Sequence, residues 1–303
     1  MPRIQLPVTA FLASLAGALA HPILTADAQA RPEILVSTDW LTNHLRDRDL
    51  VVVHTASQRS DYDAGHIPGA RWLPWNAITR THDGLSVELP DPSALDSVLE
   101  SLGITNQSRI VVSGGPITMT SRVYYTLEYF GLGERVSLLD GGIDAWREEG
   151  RPVERMAPAL TRGNVTLRPR PERRVDAPRI AARTPASKVK VLDARVPEFW
   201  TGLASNNNPR PGRVPTAANI PFTWLTGEFA RFRDRDRLSR LFERAGVQAG
   251  DTVVTYCHIG MQASVLFVAS RLLGHEAALY DGSFEDWSRR TELPVVGPDT
   301  TRR

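Results

Sequence analysis

Short apolar runs separated by longer stretches of helical spacing set the rhythm of this chain. Residues 50–53, 110–112 and 136–139 are apolar and β-favouring without alternation, and residues 189–192, 253–255 and 277–280 read the same way. Runs of that length with few polar interruptions predict strands buried on both faces, as in a parallel sheet. Between them Leu95, Leu99 and Leu102 fall at i, i+4 and i+7 and are closed by Gly103; Leu238, Phe242 and Ala245 do the same before Gly246. Each is an amphipathic helix with a glycine stop. Strands alternating with helices predict an α/β fold in which parallel sheets carry helices on both faces.

The pattern runs twice. Gly65-His66-Ile67-Pro68-Gly69-Ala70 returns as Gly212-Arg213-Val214-Pro215-Thr216-Ala217, and the helix of Leu95 returns at Leu238. The run at Ile110 returns at Val253, and Leu139-Asp140-Gly141-Gly142 with Trp146 returns as Tyr280-Asp281-Gly282-Ser283 with Trp287. Four blocks in one order define two copies of one unit. A chain of 303 residues is also too long for one ordinary core. The stretch 150–185 is rich in Pro and Arg and has no sustained apolar period, which predicts a surface linker. The expected boundaries are 31–155 for the first copy, 156–184 for the linker and 185–299 for the second.

Residues 1–30 differ from the rest. One arginine, an apolar or small stretch over 6–20 and an Ala-x-Ala site at Ala28-Gln29-Ala30 have the layout of a cleavable signal peptide. About fifteen residues is short for a bilayer span. The expectation is a soluble periplasmic or secreted protein, beginning near Arg31, with no membrane contact after cleavage. Composition fits this, at 42% hydrophobic and 23% charged with a formal net charge of +2, and gives no electrostatic case for nucleic acid.

Cys257 is the single cysteine, placed where the run Val253-Val254-Thr255-Tyr256 meets a short glycine-containing loop and a helix. One cysteine makes no intramolecular disulfide and no zinc cage. Ligands on such sheets bind beyond the carboxyl ends of the strands, where Cys257 lies. Loop N–H groups and the positive end of the next helix dipole favour a thiolate there, the nucleophilic form. The plain alternative is a small buried apolar residue, against which the loop context and the repeat both argue. Aligned without gaps from Leu95 to Gly131, the first copy has Gly114 opposite Cys257, and in the preceding block Thr55 stands opposite Asp193. It keeps the scaffold and lacks the chemistry.

Those residues resemble the tandem-domain rhodanese family, the thiosulfate and 3-mercaptopyruvate sulfurtransferases, over about residues 33–296. The resemblance rests on Asp63-Ala64-Gly65-His66-Ile67-Pro68-Gly69-Ala70, on Val191-Leu192-Asp193-Ala194-Arg195 with Glu198, Phe199 and Gly202, and on Asp281-Gly282-Ser283 with Trp287. It implies two tandem rhodanese-like domains, the first inert, and ping-pong transfer of sulfane sulfur through a Cys257 persulfide. The implied cradle is Cys257, His258, Ile259, Gly260, Met261 and Gln262. The implied partners are a small anionic donor and a thiophilic acceptor such as cyanide, with no metal or organic cofactor. A monomer is expected, the two domains covering each other's faces. By the same resemblance Asp193 holds the loop and Arg195 steers the donor, or the two form a structural ion pair.

Departures from the family leave donor choice open. The thiosulfate-specific enzymes carry basic residues directly after the cysteine, where this chain has His258 and Ile259. The mercaptopyruvate enzymes have small polar residues there, which this loop matches no better. Arg210 and Arg213 are spare cations that either meet the donor or are solvated, and His258 is either a partial cation or an exposed side chain. A phosphatase of this fold needs a longer loop closed by arginine, and Ala263 and Ser264 stand there instead. A thiol–disulfide oxidoreductase lacks its resolving cysteine. A persulfide carrier serving a dedicated partner is the remaining rival.

Overall fold

The computed structural model describes residues 33–183 and 187–298, together with Pro2. The remainder of the expected signal peptide and Pro185, near the linker's expected end, lie outside the described residues. The first copy runs β1 (Leu35–Val36), α1 (Thr38–His44), β2 (Leu50–Thr55), α2 (Arg59–Asp63), β3 (Arg71–Trp72), β4 (Arg80–His82), β5 (Leu85–Glu88), α3 (Pro92–Ser101), β6 (Arg109–Gly114), α4 (Ile117–Tyr129), β7 (Val136–Leu139) and α5 (Gly142–Glu148). The second runs β8 (Arg174–Val175), α6 (Ala177–Ala181), β9 (Val189–Asp193), α7 (Pro197–Thr201), β10 (Ala218–Asn219), α8 (Arg235–Arg244), β11 (Thr252–Tyr256), α9 (Met261–Leu272), β12 (Glu276–Tyr280) and α10 (Ser283–Arg289).

Each copy builds a five-stranded parallel sheet, ordered β3-β2-β6-β7-β1 in the first and β10-β9-β11-β12-β8 in the second. Strand for strand these are the same order. The second sheet therefore begins inside the stretch expected to be linker, because β8 pairs with β12 and α6 follows it. A two-residue edge strand among arginines and prolines leaves no periodicity to detect. Between β5 and β4 lies a small antiparallel hairpin belonging to the first copy.

Successive strand residues divide between the sheet faces, as the pleat requires. Val191, Val254, Tyr256 and Ala278 pack outward with Ile180, Phe284 and Trp287, from α6 and α10. Leu192, Val253, Ala277 and Leu279 pack inward with α8 and α9, in one core that continues into α3 and α4 of the first copy. Helices α4 and α9 meet there, with Tyr125 edge-on to Phe267 at a centroid distance of 5.2 Å. Cys257 belongs to this shared inner core.

The interface is nearly two-fold. Asp140 follows β7 and accepts the Phe232 N–H at 2.9 Å; Asp281 follows β12 and accepts the Leu89 N–H at 2.8 Å. Each copy thus holds the other's Asp-Gly turn through a charge-assisted hydrogen bond, buried at Asp281 and part-buried at Asp140.

The Gly65–Ala70 motif is an anchor for the chain leaving each sheet. His66 exchanges two 2.8 Å backbone hydrogen bonds with Glu154, and Arg213 exchanges two of 3.0 Å with Val296. Gly212 has φ +125°, and a Cβ there would sit 2.2 Å from the Val296 carbonyl oxygen. Gly212→Ala is expected to destabilise the protein by about 2–3 kcal/mol through strain and collision. Chemical-denaturation midpoints check this, and an unchanged midpoint would show that the corner relaxes freely.

Candidate active site

Buried β-branched residues carry β11 to Tyr256, and register places Tyr256 beside Asp193 at the end of β9. The chain then turns through Cys257, His258, Ile259 and Gly260 into α9. Gly260 caps that helix at φ +91°, a conformation that favours glycine. The turn after β12 fastens the loop from behind. Ser283 Oγ donates to the Tyr280 carbonyl at 2.9 Å and accepts the Cys257 N–H at 3.3 Å. The N–H groups of Phe284 and Glu285 donate to the Cys257 and His258 carbonyls at 3.0 and 2.9 Å.

The loop's own amides are turned the other way. Ala263, Ile259 and Gly260 aim their N–H groups at the Cys257 sulfur, which favours the thiolate. Burial opposes them and prevails, with the Asp193 carboxylate adding to the rise, so the thiol is pushed up. The side chain is fully buried. The expectation of a resting thiolate is therefore corrected: the cradle exists, and its effect is smaller than the loss of solvent. His258 is corrected too. Burial first, and the Arg195 charge second, lower its imidazole to about 4, so it is neutral at physiological pH. Its ring sits edge-on to Phe199 of α7 at 4.5 Å. Of the other cradle residues Gly260 is buried, and Ile259, Met261 and Gln262 are half-buried.

Asp193 and Arg195 are brought together as a buried ion pair. The Arg195 main-chain N–H, Nε and Nη2 all donate to the Asp193 carboxylate, Nη2 at 2.5 Å, and Nη2 also reaches the Gly212 carbonyl at 2.8 Å. The guanidinium lies 4.2 Å from the Phe284 ring and beside Tyr256, among the outward-facing cluster. Arg210 spends its fork on the carbonyls of Trp287, Ser288, Arg290 and Leu293, closing the end of α10. Arg213 stacks on Trp200 at 4.0 Å and donates to its carbonyl. All three arginines expected near a donor are engaged in holding the fold.

The sequence reading missed Arg122. It projects from α4 of the first copy to Asp281, Nη1 to Oδ1 at 2.7 Å, both side chains fully buried. It is the one charged residue between Ile117 and Leu127, and it stands opposite Val265 in the second copy. That asymmetry was the available signal. Asp281 also faces Arg174 at 3.7 Å, and Arg174 holds Glu88 at 2.8 Å. Burial, then the nearby Asp281 charge, raise Glu88 to about 7 from its ordinary 4.5. Folded protein thus keeps a proton that the unfolded chain releases above 4.5, so stability should fall as pH rises from about 4.5 to 7. Denaturation midpoints across that range check the slope, which Glu88→Gln should flatten.

At the matching place in the first copy, Gly114, Gly115, Pro116 and Ile117 line a small cavity with the Gly141-Gly142 turn, and Phe229 and Ala230 close it. No thiol, hydroxyl or carboxylate replaces Cys257 at Gly114.

A sole cysteine cradled by backbone amides at the end of a parallel strand, beside a twin without one, defines a two-copy α/β architecture with a single thiol site. Residues 37–149 and 177–290 each match the Rhodanese-like domain, and the chain belongs to the rhodanese family. It is 31% identical over 291 residues to the Mycobacterium tuberculosis protein named "Putative thiosulfate sulfurtransferase SseA", covering 91% of this chain and 95% of that one. It is 28% identical over 280 residues to the sulfur carrier protein TtuD of Thermus thermophilus, covering 88% of this chain and 98% of that one. The crystal structure of SseA from Escherichia coli, titled for 3-mercaptopyruvate sulfotransferases, superposes with a TM-score of 0.74 at 26% identity over 83% of this chain and 98% of that one. The crystal structure of YnjE shares the fold, with a TM-score of 0.80 at 22% identity over 89% of this chain and 70% of that one.

Proposed function

We propose that the protein is a sulfurtransferase that moves sulfane sulfur from thiosulfate or 3-mercaptopyruvate, through a persulfide on Cys257, to cyanide or another thiophilic acceptor. The observation that carries this reading is the set of three N–H groups aimed at one cysteine sulfur. Cys257 first loses its proton to solvent. The thiolate then attacks the outer sulfur of thiosulfate, the donor S–S bond breaks, and sulfite leaves with its electron pair. The persulfide anion spreads charge toward the same N–H groups. Cyanide carbon attacks the outer sulfur, thiocyanate departs and the Cys257 thiolate returns.

Steady-state thiocyanate formation from thiosulfate plus cyanide, with mercaptopyruvate as second donor, tests the proposal. Turnover with thiosulfate supports it in full, and turnover with mercaptopyruvate alone reassigns the donor. Stoichiometric loading of Cys257 without turnover would instead make the protein a persulfide carrier. Full burial of the thiol and a loop without a cation favour that second reading. We take the protein to be exported and monomeric. Recovery from the periplasm or medium with an amino terminus at Arg31, and the mass by light scattering, check both.

A further inference from the structure

The first copy reaches the cysteine loop with Arg122. The Arg122 guanidinium is fully buried against Gly260, where an added Cβ would lie 2.8 Å from Nη1 and 3.3 Å from the Asp281 carbonyl. Nη1 pairs with Asp281, while Nε and Nη2 have no hydrogen-bond partner among the described residues. A buried guanidinium left so incompletely bonded is costly, and hydrophobic replacement of such pairs is often stabilising. Val265, at the equivalent position of α9, is buried in the shared apolar core, so the charge belongs to the first copy alone. Asp281 opens the turn whose Ser283, Phe284 and Glu285 hold the backbone of Cys257 and His258.

We propose that Arg122, supplied by the copy that has no nucleophile, is the positioning residue of the Cys257 loop. By pinning Asp281 on one side and closing on Gly260 on the other, it keeps the loop amides on the sulfur. The proposal rests on the reading of Cys257 as the nucleophile. The charged and titratable groups around the loop are Asp193 and Arg195 from β9 and its end, and His258 within the loop. Asp281 after β12, Glu88 from β5 and Arg174 from β8 stand nearby, as do Tyr256 at the end of β11, Tyr125 under the Arg122 guanidinium and Glu285 of α10 against His258.

The test follows the pH dependence of Cys257 alkylation by iodoacetamide in the purified protein. Arg122→Met/Asp281→Asn removes both charges, so no buried charge is left alone and the thermal midpoint should stay close to that of the parent. Its alkylation at neutral pH should be about tenfold slower, with the profile's midpoint about one pH unit higher. Arg122→Lys keeps the charge without the fork and should fall between the two. If the double variant does not fold, Arg122→Lys decides alone. A parental alkylation profile in either folded variant would overturn the proposal and leave Arg122 a structural tie. Because alkylation needs no sulfur donor, a shifted profile in a protein without turnover would defeat the sulfurtransferase reading while sustaining this one.

Discussion

Cys257→Ser is expected to lower thiocyanate formation by about 10⁴-fold or more, the scale on which loss of a covalent nucleophile is felt. A serine hydroxyl fits the same buried volume and meets the same amides, but it is far less acidic and holds no transferable sulfur. The fold should persist, with a cost of about 1–2 kcal/mol for the buried hydroxyl. Thiocyanate assays beside thermal denaturation separate the two effects. Residual turnover above about one per cent would mean that sulfur passes through another group.

Asp193→Ala is expected to cost about 3–5 kcal/mol, because it strands the Arg195 guanidinium among Phe284 and Tyr256. A loss of that size corresponds to roughly 10 °C in the thermal midpoint for a chain of this length. Asp193→Leu/Arg195→Met should recover most of it, since a paired apolar replacement leaves no lone charge. The mechanism predicts this order of stabilities, parent and double variant above either single variant. A loss below about 1 kcal/mol for Asp193→Ala would show the pair to be solvated and would return Arg195 to the candidates for donor binding.

The sequence carried the frame of this protein because the frame is local. Residues 110–112 and 253–255 announce buried strands, observed as β6 and β11, and the Leu95 and Leu238 spacings announce α3 and α8. Cys257 is legible for the same reason, since a strand-to-loop junction is a local event. β8 escaped because two residues have no period. The Asp193–Arg195 ion pair stood as one of two readings, whereas the roles of Arg210 and Arg213 escaped because a guanidinium looks alike in sequence whether it meets a donor or a set of carbonyls. The rise of the Cys257 thiol and the fall of the His258 imidazole are products of burial, which neighbours distant in sequence impose. Arg122 and Asp281 meet only when the two copies face each other.

Gly114 gives the first copy a backbone shape that one substitution does not reverse. Its backbone sits at φ +123°, and a Cβ there would lie 2.0 Å from the Thr55 carbonyl oxygen. A cysteine placed at 114 would have to push β2 and β6 apart before its sulfur met any substrate. One half thus holds the cysteine, and the other has closed its backbone over the matching position. What remains to the closed half is leverage on its twin.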